Sequence, residues 1–162
     1  MTLRFMRNKV MEVEARADGT LSVRWRVVDT FLEAGIRLTV RPPDLEIIEA
    51  EAEMPRHPYP ERAVDTELIK DIVGVRVGAG LRKIVRGLMA AETGYNELSE
   101  GVLECCNAVI LHFTVPQIRA GEGIPLEQKL EATRANLKSN PRLVGSCVAF
   151  QPGSPIMQGL DL

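Results

Sequence analysis

Two adjacent cysteines and one of the two histidines fall within the single stretch LECCNAVILH, from Leu103 to His112. Thiolates and imidazoles are the ligands zinc prefers, and a thiolate beside an imidazole is also a nucleophile pair. Geometry argues against both uses. The stretch reads as part of a helix from about Asn96 to Thr114, in which Leu98, Val102, Cys105, Val109 and Phe113 share one face. Cys105 and His112 lie on nearly the same side. They are seven residues apart, however, or roughly 10 Å along the axis at about 1.5 Å per residue, too far to share a metal. Cys106 and His112 point to different sides. No Cys-x-x-Cys, His-x-x-x-His or Glu-x-x-His spacing occurs in the chain. The cysteines are expected to be small apolar core residues, with no metal bound. His57 is isolated in a proline-rich segment, and no Gly-x-Ser-x-Gly nucleophile motif is present.

The charges say more. Between Ile72 and Ala91 there is no acidic residue, but Arg76, Arg82, Lys83 and Arg86 are present. Between Gly87 and Ile118 there is no lysine or arginine, but Glu92, Glu97, Glu100 and Glu104 are. On helical wheels Arg82, Lys83 and Arg86 gather opposite an apolar stripe, and Glu97, Glu100 and Glu104 share a face. Two solvated faces that pair with each other would account for this. A sharper reading starts from VGVRVGAGLRK, where Gly78 and Gly80 precede a helix whose first turn carries Arg82 and Lys83. Free N–H groups at a helix start, approachable past glycines, favour a phosphate or carboxylate. Neither a complete Gly-x-Gly-x-x-Gly nor a P-loop signature is present.

The elements that must carry these residues follow from periodicity. TLSVRWRVV and IRLTVR alternate with period two, burying Leu21, Val23, Trp25, Val27, Ile36, Leu38 and Val40. Asp18-Gly19 marks a hairpin turn. Pro42-Pro43 ends a third strand. In the fourth, LEIIEAEAE, the phase slips at Ile47-Ile48, as one extra residue at a bulge requires. Arg24, Arg26, Arg37 and Arg41 are set to pair across strands with Glu12, Glu14, Glu49 and Glu51. Beyond the segment MPRHPYPERAVD the pattern turns helical: Thr66 as N-cap, an amphipathic helix through Leu81, Ile84, Val85, Leu88 and Met89, then the long helix. TVPQIRAGEGIP reads as a loop, LEQKLEATRANLKS as a helix opened by Pro125, and LVGSCVAF as a final strand. The expected architecture is α+β: an antiparallel β-meander of about four strands, covered on one face by C-terminal helices. Residues 1–150 form one domain and residues 151–162 a flexible tail.

From PYPE through IVGVRVGAGLRKIVRGLMAAETGYNELSE to NPRLVGSCVAF, the chain resembles a bacterial family designated domain of unknown function 2889. Its mark is a Gly-rich turn, a basic helix, then a Gly-Cys-x-His-Leu-x-Glu helix start, here Gly94-Tyr95-Asn96-Glu97-Leu98-Ser99-Glu100. Tyr95 and Glu97 stand where the family has cysteine and histidine; Gly94, Leu98, Glu100 and the later Ser146-Cys147 match. The resemblance implies no established activity, and any use the family makes of that Cys-His pair is lost in this member.

Composition sets the outer bounds. The chain has 162 residues, 45% hydrophobic and 26% charged, with a net charge of −2. This gives no general attraction to nucleic acid or anionic membrane. Three cysteines without framework spacing point to a reducing compartment, hence the cytoplasm. The start MTLRFMRNKVMEVEA has no signal-peptide core, and no stretch reads as a membrane helix. The expected function is a small module that binds an anionic metabolite or a partner protein, with homo-oligomerisation open. Its ligand-binding residues would be Gly78, Gly80, Arg82, Lys83, Arg86, Tyr95, Glu97 and Glu100. Two alternatives remain: an enzyme with Tyr95, Glu97, Glu100 and Arg82 near the Gly-rich turn, or a structural subunit.

Overall fold

The computed structural model describes residues 4–59, 64–89 and 96–160, the side chains of residues 117, 118, 120 and 142 excepted. Its sheet is a four-stranded meander in the order β1-β2-β3-β4. The strands are β1 (Arg7–Ala15), β2 (Leu21–Asp29), β3 (Glu33–Arg41) and β4 (Glu46–Arg56), each antiparallel to the next. The first hairpin turns where Asp18-Gly19 demands it. Gly19 has φ +83°, its N–H bonds the Arg16 carbonyl, and the Asp18 carboxylate accepts from both the backbone and the hydroxyl of Thr20. Asp29 closes the second hairpin, accepting the N–H groups of Phe31 and Leu32.

The phase slip in β4 is a bulge. Thr39 faces Glu49 but Val40 faces Ile47, so Ile48 is the extra residue. This also redirects the charge ladder. Arg24 meets Glu12 and Glu14, and Arg37 meets Glu51, as expected. Arg41 instead takes Glu46, which the bulge moves opposite it, and Thr39 takes Glu49. Arg26 faces Gly35 across the strands and turns to Glu33.

The inner face, from Val23 and Trp25 to Leu38, Val40 and Ile47, is buried under helices. These are α1 (Leu81–Met89) and α2 (Asn96–Ala120); α3 (Leu126–Ser139) follows them and buries Leu137 in a cluster of its own. Leu98, Val102, Cys105 and Val109 of α2 enter the same core as the sheet. Gly101 brings α2 down onto Trp25 and Ile36, where a Cβ would lie 2.7 Å from Ile36 Cδ1. By length and composition α2 could cross a membrane over Asn96–Pro116, contrary to expectation, but it is the helix that covers the sheet.

Four local expectations change. Thr66–Ile72 is a 3-10 helix capped by Asp65, whose carboxylate accepts the Glu67 N–H, so the stronger acceptor one residue earlier displaces Thr66. α2 runs past Thr114 through Pro116 to Ala120. Proline there forfeits only the bond to the His112 carbonyl, on a stretch with exposed Leu111 and Val115 where solvent can replace it. LVGSCVAF is not a strand. It forms two 3-10 turns, Pro141–Leu143 and Val148–Phe150, around Gly145 (φ +75°). Leu143 and Phe150 thereby join Leu137 in a second apolar cluster. The segment expected as a tail contributes Ile156, Met157 and Leu160 to that cluster, and Arg134 donates to the carbonyls of Pro155, Ile156 and Gln158.

Candidate functional site

The opening cysteines are core. Cys105 and Cys106 are buried. Burial pushes both thiols up, Cys106 to about 12 and Cys105 further, the latter helped by Cys106 and by Glu104. Neither is a thiolate at neutral pH.

The Gly-rich turn does line a cleft, of about 620 Å³. Gly78, Gly80, Leu81 and Arg82 form one wall, and α2 forms another with Glu100, Leu103, Glu104, Cys106, Asn107 and Ile110. Gly145 and Ser146 close it. Gly80 (φ +80°) reverses the chain into α1, and its carbonyl takes the N–H groups of Lys83 and Ile84. Gly145 allows the C-terminal segment to touch this turn: a Cβ there would come within 3.3 Å of Ala79 Cβ.

The sign switch becomes one ion pair. Arg86 donates to Glu100 Oε1 at 3.0 Å, both partly exposed. A surface pair of this kind contributes about 0–1 kcal/mol. Arg82, one turn earlier, has no acidic partner among the described residues. The first turn of α1 holds no acidic residue. Arg82 and Lys83 therefore stand where the helix dipole disfavours cations, a cost that an anion would relieve. Glu104 is committed differently. It accepts from Lys9 Nζ at 2.8 Å and from Trp25 Nε1 at 2.5 Å. Its burial acts to raise the carboxyl, but those two hydrogen bonds and the Lys9 charge outweigh it and hold Glu104 below the usual range.

Of the residues expected at a site, Gly78, Gly80, Arg82 and Glu100 come together in the cleft. Lys83, Arg86 and Glu97 do not line it. Arg86 is spent on Glu100, and half-buried Glu97 sits in the first turn of α2, where a carboxylate suits the dipole. Tyr95, with the Gly94 of the helix start, lies outside the described residues. Asn107, Glu104 and Ser146 were missed. Asn107 stands one helical repeat beyond Glu100, a signal available only once the Glu100 face is known to be concave.

A four-stranded meander with helices stacked on one face, and a polar cleft where two of those helices meet, defines a small α+β domain. The chain belongs to the family described as Protein of unknown function (DUF2889), whose model matches residues 5–110. That match covers the sheet, α1 and α2 as far as the cleft floor, and stops before the Gly145-Ser146 wall. Comparison with curated proteins and with solved structures gave no match.

Proposed function

We propose that this protein is a cytoplasmic binding module whose cleft takes a small anionic ligand against Arg82 and the Gly78–Gly80 turn. The carrying observation is Arg82 at the start of α1, which has no acidic partner among the described residues and lines the cleft. Asn107, whose side chain makes no hydrogen bond among the described residues, and the Ser146 turn offer further polar contacts. Glu104, although it lines the cleft, is committed to Lys9 and Trp25, which leaves Arg82 as the charged group facing a ligand. The cytoplasmic part of the proposal rests on three unpaired cysteines.

Thermal melting with inorganic phosphate tests this. A ligand at ten times its Kd stabilises the folded state by about 1.4 kcal/mol, or roughly 3–6 °C for a chain of this size. Arg82→Ala should abolish the shift while leaving the fold intact, since Arg82 is exposed and has no acidic partner among the described residues. Phosphate also stabilises proteins by exclusion, so wild type and variant are compared at the same low-millimolar concentration. Equal shifts in both would defeat the proposal.

A further inference from the structure

The two edges of the sheet are not alike. Near its start β4 is covered: Ile47 bonds Val75, Gly74 bonds Ile47, and Val77 bonds Leu45 through the backbone. β1 is uncovered along its whole length, every residue from Arg7 to Ala15 being exposed except half-buried Val13. The Arg16 N–H bonds the Thr20 carbonyl, which fixes the polarity of the strand. Even-numbered residues of β1 direct their backbone groups to β2. The N–H and C=O groups of Arg7, Lys9, Met11, Val13 and Ala15 therefore face outward.

Sheet edges are ordinarily blunted by a bulge, a proline or a free lysine. β1 has no proline, and its nine pairs to β2 run without a bulge. Its cations are turned inward: Lys9 is held by Glu104 and lies over the Trp25 ring, and Arg7 is held by Asp29. Val10 and Met11, at the centre, are left exposed.

We infer that this edge pairs with the β1 of a second copy, antiparallel and two-fold about Met11, joining two sheets into one of eight strands. Residues whose numbers sum to 22 then face each other. Arg7 opposes Ala15, Lys9 opposes Val13 and Met11 opposes Met11. On the outer face Asn8 opposes Glu14 and Val10 opposes Glu12. This register uses all five outward-facing residues, for about ten backbone hydrogen bonds, because each such pair exchanges two. The strand is basic in its first half and acidic in its second. Antiparallel self-pairing sets one half against the other, and no like charges stand directly opposite; parallel pairing would stack Arg7 on Arg7 and Glu12 on Glu12.

Sedimentation or light scattering of the full chain should give about twice 17.9 kDa. Met11→Pro removes an outward N–H and none of the β1–β2 bonds, so it should give a folded monomer. Met11→Glu keeps that N–H but places two carboxylates on the two-fold axis, and should weaken association at least tenfold. Met11→Cys in a Cys147→Ser background should form a disulfide-linked dimer on mild oxidation, because Cα atoms of such a pair stand about 5.5 Å apart. A wild type monomeric at the highest soluble concentration would overturn the inference. So would a dimer indifferent to both Met11→Pro and Met11→Glu, or one that Met11→Cys fails to cross-link.

Discussion

Gly101 is where the packing of α2 on the sheet can be weighed most directly. Replacing a helix-interior glycine by alanine ordinarily stabilises by about 1 kcal/mol. Here the new Cβ would lie 2.7 Å from Ile36 Cδ1 and 3.1 Å from Trp25 Cε3. Both side chains are buried, and Trp25 is tethered through Nε1 to Glu104, one turn along the same helix. The ring cannot retreat without losing that bond, so the adjustment falls on Ile36 and on α2 itself. Overpacking of this kind costs about 1–3 kcal/mol. The net expectation for Gly101→Ala is a loss of about 1 kcal/mol, or roughly 2–4 °C in Tm. Gly101→Val, with two more methyl groups, should lose about 3 kcal/mol or more. Ile36→Val deletes the methyl in the way and costs about 1 kcal/mol alone. In the double variant, Ile36→Val with Gly101→Ala, the new methyl occupies the vacated space, so it should melt no lower than Ile36→Val alone. That is a coupling of about 1 kcal/mol, readable in a double-mutant cycle by urea denaturation. If Gly101→Ala stabilises by the full helix-propensity gain, or if the cycle is additive, α2 does not rest on Ile36 as described.

Asp29 should carry part of the pH dependence. Burial acts to raise its carboxyl, but the Phe31 and Leu32 N–H groups and Arg7 outweigh it and hold it below the ordinary 3.8. A lowered folded pKa means stability present above the unfolded value and lost as pH falls through the folded one. Asp29→Asn should therefore destabilise clearly at about pH 7 and less at about pH 3, and equal losses at both would refute this linkage. The thiols give an independent check on burial. One cysteine, Cys147, should react with a thiol reagent in the native state and all three after denaturation, because Cys105 and Cys106 are buried and their thiolates strongly disfavoured. Rapid native labelling of three would mean that the α2 face is open.

The sheet was legible because its cause is local. Arg24 and Arg26 can leave the core only if Val23, Trp25 and Val27 enter it, and one extra residue at Ile48 is the only way to keep Ile47 buried with Glu49 outside. The C-terminal third was less legible because its causes are distant. LVGSCVAF has strand composition, but its apolar residues are used in 3-10 turns and not in a sheet. Gly145 instead turns it back so that Leu143 and Phe150 can reach Leu137. TVPQIRAGEGIP, which reads as a loop, begins inside α2, with Pro116 in the helix. The proline is tolerable because only one carbonyl depends on the missing N–H.

The same division runs through the cleft. Gly78, Gly80 and Arg82 are neighbours in the chain, so a turn followed by a basic helix start was readable as a unit. Which of the three cations stays available was not readable, since it depends on how α1 and α2 lie together. α1 is brought alongside α2 with Arg86 level with Glu100, and that pair neutralises itself. One turn away along α1, Arg82 has no acidic partner among the described residues, and Lys9 reaches across from β1 to occupy Glu104, which lines the same cleft. The sheet thus decides the charge of the cleft. Without the Lys9 contact, Glu104 would be the natural partner for a cation on the opposite wall. With it, Glu104 is committed to the sheet and Arg82 has no acidic partner among the described residues, which is the feature the proposed anion site draws on.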